Sequence, residues 1–321
     1  MKAVVTGAAG FIGSNLTDRL LDLDFDVVGV DRFSDYYSEA LKRENLASAL
    51  DHGRFDFHHA DLTEMDLRPL IEGVDAVFHL AAQAGVRRSW GSEFDTYERD
   101  NITATQRLLE AIAHSDHDPR FVYSSSSSVY GNASTYPTSE DDLPRPHSPY
   151  GVTKLAAEHL CALYSDNLGV HTVSLRYFTV YGPRQRPDMA FHRLFEAALG
   201  GAPFTLFGDG SQIRDFTFVA DAVAANVAAL GDWVEPGACF NVAGGSQTSM
   251  TEVIRSIEDL VGHAVPVVRE GSKLGDVRRT GGSMDRVRSG LRWEPAVPLA
   301  DGLGLQLEHH RQTAALAATR S

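Results

Sequence analysis

Short apolar runs rich in β-branched residues alternate with segments of helical periodicity along the first 240 residues. Lys2–Thr6 and Val27–Asp31 are two such runs, and Ile12, Leu16 and Leu20 between them recur at the spacing of one helix face. Further strands are predicted at 54–59, 74–80, 120–123, 171–176 and 239–242. This alternation predicts an α/β fold with a doubly wound parallel sheet, whose ligand lies at the carboxyl ends of the strands.

The first strand leads directly into a glycine turn, Gly7-Ala-Ala-Gly10-Phe-Ile-Gly13, and then into a helix. Gly7 permits the turn, Gly10 lets the backbone approach a phosphate, and Gly13 lets the helix pack on the strand. The N–H groups of Phe11 and Ile12 belong to the helix N-terminus, which attracts anions. The order of strand, turn and helix predicts a site for a dinucleotide pyrophosphate.

Asp31 ends the second strand, 18 residues after Gly13. A carboxylate at this place accepts hydrogen bonds from the adenosine ribose hydroxyls and disfavours a 2′-phosphate, which favours NAD over NADP. Arg32 beside it leaves NADP open, because an arginine can hold that phosphate. Asp61-Leu62 after the third strand and Leu80-Ala81-Ala82 after the fourth are further candidates for cofactor binding.

We therefore divide the chain into an NAD-binding Rossmann domain, residues 1–175, and a smaller C-terminal α/β region, 176–321, that is mainly for substrate binding. Segments near 171–180 and 238–245 are expected to return to the main sheet. The C-terminal half is less regular in pattern, and the sequence shows no linker or repeat.

Candidate proton-transfer groups follow the fifth strand. A run of five serines, Ser124 to Ser128, precedes a proline-rich loop, and the next helix begins near Tyr150 and Lys154, which share one face because they are four residues apart. A tyrosine has a pKa near 10, and a nearby ammonium together with an oxidised nicotinamide ring would lower it. This arrangement predicts a tyrosine base assisted by a serine hydroxyl.

Composition narrows the class of partner. The chain has 321 residues, a net charge of −14, and 43% apolar residues. The negative charge argues against nucleic acid or an anionic membrane as a partner, and no apolar run is long enough to span a bilayer. The two cysteines, Cys161 and Cys239, are expected to be reduced, and with a strand that begins at Lys2 they lead us to expect a cytoplasmic protein. The histidine and cysteine spacings predict no metal site.

From residue 1 to about 310 the order of these motifs resembles that of extended short-chain dehydrogenases/reductases, in the nucleotide-sugar epimerase group. The resemblance assigns the catalytic serine to Ser126, the base to Tyr150, and the lysine that binds the nicotinamide ribose to Lys154. It implies NAD as cofactor, a UDP-sugar as substrate, and a homodimer formed through the helices after Asn101 and Tyr150.

Two serines narrow the reaction. Related 4,6-dehydratases place Asp-Glu directly after the catalytic residue, and decarboxylating relatives place a Glu where this chain has Ser128. Here Ser127 and Ser128 are both hydroxyls. Without a carboxylate at these positions, elimination and decarboxylation are disfavoured, and simple epimerisation remains.

The segment Arg176–Arg193, Arg32-x-x-Asp-Tyr-Tyr37 and Gln83-Ala-Gly-Val-Arg87 resemble UDP-glucuronate 4-epimerases in particular. UDP-glucose 4-epimerases usually have Asn where this chain has Thr179, so the hydroxyl of Thr179, with Ser127 and Ser128, would hold a C5 carboxylate. The resemblance further places Arg184, Arg193 and Arg214 near the diphosphate and Asp276 near the uridine ribose. We interpret Arg186 as half of a surface ion pair.

The expected reaction is epimerisation of UDP-glucuronate at C4 through a 4-keto intermediate, without loss of CO₂. The open alternatives are a UDP-glucose or UDP-N-acetylhexosamine 4-epimerase, a UDP-glucuronate decarboxylase, and a non-catalytic nucleotide-sensing scaffold of the same fold. Such scaffolds typically lose the tyrosine or the lysine, and both are present here.

Overall fold

The computed structural model describes residues 1–271 and 277–320. Twelve strands are present in this part of the chain: β1 (Lys2–Thr6), β2 (Asp26–Asp31), β3 (Phe55–His59), β4 (Ala76–His79), β5 (Arg120–Ser126), β6 (Thr172–Tyr177), β7 (Thr179–Tyr181), β8 (Phe204–Phe207), β9 (Ile213–Phe218), β10 (Ala238–Val242), β11 (Ser246–Ser249) and β12 (Val267–Glu270).

Seven strands form one parallel sheet in the order β10-β6-β5-β4-β1-β2-β3. The chain runs outward from β1 to β3, returns to β4 and continues to β6, so the strand order reverses between β1 and β4. This is the doubly wound arrangement predicted from the sequence. The segments that hold β6 and β10 lie in this sheet, as expected, whereas the division of the chain into two domains stays a prediction.

The α-helices of the described residues are α1 (Phe11–Asp22), α2 (Glu39–Leu50), α3 (Arg68–Ile71), α4 (Phe94–Tyr97), α5 (Ala104–Ala113), α6 (Pro149–Leu168), α7 (Ala190–Ala198), α8 (Val219–Ala228), α9 (Met250–Val261) and α10 (Leu299–Arg320). A π-helical segment, Glu98–Thr103, joins α4 to α5, and Val287–Leu291 forms another. Among the described residues, no helix is long and apolar enough to cross a membrane.

Alternate residues of β1 face the two sides of the sheet, and each side has its own core. Val5 packs with Leu16 and Leu20 of α1, and Val4 packs with Leu108 of α5; all five side chains are fully buried. Burying a valine or leucine completely contributes about 1.5–3 kcal/mol each. Two helical layers therefore fix the sheet and, with it, the position of every loop at its carboxyl edge.

Two small sheets form the C-terminal region. One joins β7, β9 and β11, and the other pairs β8 with β12. The first begins immediately after β6, since only Phe178 separates β6 from β7. The C-terminal region is thus attached directly to the carboxyl edge of the main sheet.

Candidate active site

The turn between β1 and α1 has no space for larger side chains. Gly7 has a φ of +69°, and a Cβ on Gly13 would lie 2.1 Å from the carbonyl oxygen of Gly7. Gly10 precedes α1, and no side chain of the described residues caps this helix. The N–H groups of the first turn and the positive end of the helix dipole therefore remain for an anion, which fits a pyrophosphate.

Asp31 is held by the backbone at the end of β2. Its Oδ1 accepts from the N–H of Phe33 at 2.8 Å, and its Oδ2 accepts from the N–H of Ala9 at 3.2 Å. Burial raises the pKa of this carboxyl, and the two N–H donors act in the opposite direction. The carboxylate is therefore oriented at the pocket wall, where the sequence predicted a ribose contact.

Arg32, which left NADP open, forms ion pairs with Asp61 at 2.9 Å and with Asp100 at 2.5 Å. The Oδ1 of Asp61 also accepts from the backbone and hydroxyl of Thr63. Because two carboxylates already balance the guanidinium, this wall of the pocket favours a ribose hydroxyl over a 2′-phosphate and supports NAD.

One pocket at the carboxyl edge of the sheet collects every cofactor candidate predicted from the sequence. Its lining includes Gly7, Gly10, Phe11, Ile12, Gly13, Asp31, Arg32, Asp61, Leu62, Leu80, Ala81, Ala82, Tyr150 and Lys154. Further lining residues that were not predicted to bind the cofactor include Ser124, Ser125, Tyr36, Asp100, Tyr177 and Arg186. The pocket brings residues at the ends of β1, β2, β4 and β5 together with residues of α6, so that all of them can contact one ligand.

The predicted catalytic residues come together where β5 ends and α6 begins. Ser148 caps α6 by accepting from the N–H of Gly151 at 3.1 Å, and Pro149 is its first residue. The hydroxyl of Ser126 hydrogen-bonds the phenol of Tyr150. Lys154, one turn further, donates from Nζ to the carbonyl oxygen of Ser124 at 2.8 Å. Tyr150 and Lys154 therefore line the pocket together, and Ser126 is joined to them through its hydrogen bond to Tyr150.

The electrostatics at Tyr150 differ from the expectation. Burial raises the pKa of the phenol, and the hydrogen bond from Ser126 and the charge of Arg186 lower it. We expected Lys154 to be the cation that acts on Tyr150, but burial lowers the pKa of Lys154 itself to about 8. Its hydrogen bond to Ser124 directs the ammonium towards β5. In this protein the guanidinium of Arg186 is the cation that favours the phenolate.

Arg186 was interpreted as half of a surface ion pair, and this interpretation was incomplete. The pair exists, because Nε and Nη2 lie 2.9 and 3.0 Å from the two oxygens of Asp188. However, the Arg186 side chain is only 21% exposed and lines the pocket. Charge and spacing alone could not show that the loop after β7 turns this guanidinium inward.

The hydroxyls predicted to discriminate between reactions remain half-buried beside the catalytic wall. Ser127 and Ser128 begin a short 3₁₀ turn, whose backbone is fixed because the N–H of Ser128 donates to Oγ of Ser126 at 3.2 Å. Thr179 opens β7, next to the end of β6 that pairs with Ser126. Their hydroxyls are thus in the region where β5 meets the substrate sheets, and their contact with a carboxylate stays a prediction.

The arginines predicted to bind the substrate, of which Arg184, Arg193 and Arg214 were placed near the diphosphate, do not form one cluster. The Arg87 guanidinium lies 4.3 Å from the ring centre of Phe207, and that of Arg193 lies 5.8 Å from Phe204. Arg214, on β9, donates to the carbonyl of Ile213. These three lie around the strands β8 and β9 of the substrate region.

Arg184 lies elsewhere. Its φ of +67° and its ion pair with Asp18 of α1, at 2.7 Å, hold it against the outer part of α1 near His309 of α10. The structure thus does not bring it to the pocket wall, because α1 carries the carboxylate that binds it. Asp276 lies outside the described residues.

Two buried residues that the sequence reasoning missed support the site. Asn101, in the π-helical segment, donates to the carbonyl of Gln83 and to Oγ1 of Thr153, and its Oδ1 accepts from the N–H of Gln83 at 2.7 Å. His79 bonds Thr6 and Thr105, and burial lowers its pKa to about 3, so it is neutral. Nothing in the spacing of these residues distinguishes them from ordinary helix and strand positions.

A buried ion pair supports the floor of the pocket. Glu158 of α6 binds Arg176 of β6 through bonds of 2.8 to 3.2 Å, and both side chains are 7% exposed. Glu158 also accepts a hydrogen bond from Ser125, and Arg176 donates to the hydroxyl of Tyr130. Because each charge is paired and hydrogen-bonded, the network fixes the end of β5 relative to α6.

Comparison with known proteins agrees with this geometry. Residues 3–243 match the model of the NAD dependent epimerase/dehydratase family. The chain belongs to this family. The Bacillus cereus structure described as UDP-glucuronic acid 4-epimerase in complex with UDP-glucuronic acid and NAD is 44% identical and superposes with a TM-score of 0.93, covering 98% of this chain and 100% of that one.

Two curated relatives cover almost the whole epimerase chain. A Bacillus subtilis protein named "Uncharacterized UDP-glucose epimerase YtcB" is 45% identical over 94% of this chain and 96% of its own. A UDP-glucose 4-epimerase of Mycolicibacterium smegmatis is 39% identical over 97% and 99%. The predicted family, fold class and dependence on NAD are thereby confirmed.

Proposed function

We propose that this epimerase interconverts UDP-glucuronate and UDP-galacturonate through a transient 4-keto sugar, without loss of CO₂. The observation that carries the proposal is Arg186, a guanidinium on the pocket wall next to Tyr150. Asp188 engages its Nε and Nη2, and Nη1 remains for a sugar carboxylate. The Bacillus cereus structure with UDP-glucuronic acid and NAD supports the same substrate.

NAD, held by the glycine turn, Asp31 and Lys154, supplies the hydride acceptor and donor. Tyr150, as phenolate, takes the proton of the C4 hydroxyl, and Ser126 orients that hydroxyl. When the opposite face of the 4-keto sugar is presented, Tyr150 returns the proton to the new C4 alcohol. Arg186 opposes the effect of burial on the Tyr150 pKa, and an oxidised nicotinamide bound here would add positive charge in the same direction. No net redox change occurs.

The 4-keto intermediate is a β-keto acid, which loses CO₂ when the bond from C5 to the carboxylate lies parallel to the carbonyl π system. The chain offers Ser127, Ser128 and Thr179 as hydroxyl donors, and Arg186 as a cation, to hold the carboxylate away from that alignment. None of these groups is a carboxylate that would repel the substrate or act as an acid in elimination. This combination supports epimerisation as the outcome.

A UDP-glucose 4-epimerase is the second candidate, because two relatives that cover the chain carry that name. The two functions differ in the use of Arg186. A neutral sugar has no charge for the guanidinium to bind, whereas a hexuronate gains a hydrogen bond to a charged group, worth roughly 1.5–3 kcal/mol.

The test compares kcat/KM for UDP-glucuronate and UDP-glucose in the wild-type protein and in Arg186→Gln. We expect the wild type to prefer UDP-glucuronate. Arg186→Gln should slow both substrates, because the pKa of Tyr150 rises, but it should lose about 10- to 100-fold more on UDP-glucuronate than on UDP-glucose, because only the hexuronate also loses its partner. Arg186→Lys, which keeps the charge, is the matched control and should retain more of the preference. A wild-type preference for UDP-glucose would overturn the assignment.

We further propose that the epimerase is a cytoplasmic homodimer. Exposed apolar side chains on α6, Val152 at 49% and Leu163 at 55%, support a partner surface on the helix that the family uses for dimers. Sedimentation at micromolar concentration measures this directly, and a monomer would contradict it.

A further inference from the structure

Tyr36 crosses from the nucleotide-binding half of the protein to the substrate half. It lies in the loop between β2 and α2 and lines the cofactor pocket. The guanidinium carbons of Arg88 and Arg186 lie 5.0 and 5.7 Å from its ring centre. Gly85, with a φ of +103°, makes room for it, since a Cβ there would lie 2.4 Å from the Tyr36 hydroxyl oxygen.

The hydroxyl of Tyr36 donates to Oδ2 of Asp188 at 3.2 Å. The same Oδ2 accepts from Nη2 of Arg186 at 3.0 Å, and Oδ1 accepts from Nε at 2.9 Å. Burial and the charge of Asp188 raise the pKa of Tyr36, so its phenol remains a donor. Asp188 is thus fixed from two sides, and its exposed position gives it few other supports.

We propose that Tyr36 is a positioning residue for the reaction, which holds the Asp188–Arg186 pair against Tyr150. Through it, the loop that follows the ribose-binding strand β2 also sets the direction of the guanidinium that faces the sugar. The inference rests on the proposed function, because the role of Arg186 is to orient a C5 carboxylate. Tyr36, which lies outside the group formed by Ser126, Tyr150 and Lys154, thereby influences which product forms.

The proposal predicts how the 4-keto intermediate divides between epimerisation and loss of CO₂. If Arg186 moves, the ring of the 4-keto sugar can change conformation until the C5–carboxylate bond lies parallel to the π system of the C4 carbonyl. That bond then breaks, CO₂ leaves, its electron pair passes into the carbonyl as an enolate, and C5 takes a proton from water, which leaves a UDP-4-keto-pentose. The ratio of decarboxylated product (UDP-4-keto-pentose together with any UDP-pentose formed by its reduction) to UDP-galacturonate therefore reports the position of Arg186 and does not depend on how much protein is folded.

The first experiment measures this ratio with NAD-containing enzyme and UDP-glucuronate in Tyr36→Phe, which keeps the ring and removes the hydroxyl. We expect the ratio to rise about tenfold, the factor for one lost hydrogen bond to a charged group. Tyr164→Phe is the matched control, since it removes a phenol that hydrogen-bonds a carboxylate, Glu110, away from the pocket. An unchanged ratio in Tyr36→Phe overturns the proposal.

A double-mutant cycle tests whether Tyr36 acts through Asp188. If it does, the double variant Tyr36→Phe/Asp188→Asn has the same product ratio as Asp188→Asn alone. Full additivity of the two changes contradicts the proposal, and so does loss of NAD from Tyr36→Phe with an unchanged ratio, which would make Tyr36 a cofactor residue only.

A readout without sugar separates this inference from the proposed function. Ultraviolet difference titration of NAD-containing wild type minus Tyr150→Phe follows ionisation of Tyr150. Because Arg186 lowers the pKa of Tyr150, Tyr36→Phe should move the titration to higher pH. The other titratable groups near Tyr150 are Lys154, Tyr97 and Tyr123, and the substitution leaves them unchanged. An unmoved titration overturns the inference, and absence of turnover on UDP-glucuronate by wild type overturns the proposed function.

Discussion

Tyr150 is a neutral phenol in the protein by itself, because burial raises its pKa. Ser126 and Arg186 oppose that effect, and an oxidised nicotinamide would add to their side. The base is therefore poised only when the cofactor is present. This dependence suits an enzyme in which each turnover must begin with oxidised nicotinamide in the site.

The titration of Lys154 predicts how kcat depends on pH. Burial lowers its pKa to about 8, so the ammonium loses its proton as pH rises through that value. Since we propose that the charged form binds the nicotinamide ribose, kcat for UDP-glucuronate should fall on the alkaline side with an apparent pKa of about 8.

The control is Lys154→Arg, whose guanidinium stays charged in this range. We expect a lower kcat, because the compact ammonium fits the Ser124 carbonyl better, but no alkaline fall near pH 8. An alkaline limb that persists unchanged in Lys154→Arg would show that another group causes it.

For single residues, the sequence predicted which side chains lie close together better than it predicted which charges act on them. The spacing of Tyr150 and Lys154 and the serine run indicated the acid–base residues. Arg186 was missed because a guanidinium followed two residues later by Asp188 has the pattern of an exposed pair. Only the path of the loop after β7 decides which way such a pair faces.

Two elements, α1 and α6, deliver the site, and each begins at the carboxyl edge of the sheet. Local sequence signals mark the start of each helix: the glycines before α1 and Ser148-Pro149 at α6. No such signal marks the π-helical segment that contains Asn101, because one extra residue in a turn leaves no periodic pattern over six residues. The pairing of β9 with β7 and β11 could not be predicted either, since it joins segments distant in sequence.

A substitution at Gly13 tests the close packing of α1 on the glycine turn. In Gly13→Ala the new Cβ would lie 2.1 Å from a backbone oxygen of Gly7, so α1 must move away from the turn. We expect bound NAD to be lost from the purified protein and the free energy of unfolding to fall by about 1–3 kcal/mol. Dinucleotide content after acid release and urea denaturation measure the two effects.

Gly53→Ala is the matched control, because a Cβ there meets nothing within 4 Å. It should keep NAD and wild-type stability. If Gly13→Ala retained NAD to the same extent, close packing of α1 on the turn would not be what holds the pyrophosphate.

In the whole molecule, the cofactor pocket and the two small C-terminal sheets lie at one edge of the seven-stranded sheet. The doubly wound order was predictable because strand and helix periods alternate regularly up to β6. The C-terminal half was less so, because its short strands pair in two small sheets. Since β6 passes into β7 across one residue, the substrate region cannot shift far from Ser126 and Tyr150. This short link suits a reaction in which the sugar turns while the protein around its carboxylate stays fixed.

The most direct test follows deuterium from C4. UDP-glucuronate labelled with deuterium at C4 is incubated with the NAD-containing protein, and the products are identified by NMR and mass spectrometry. The account predicts UDP-galacturonate that keeps deuterium at C4, and Tyr150→Phe should bind NAD yet lose at least about 10²-fold in kcat. UDP-pentose as the main product, or UDP-galacturonate whose C4 hydrogen comes from water, would contradict it.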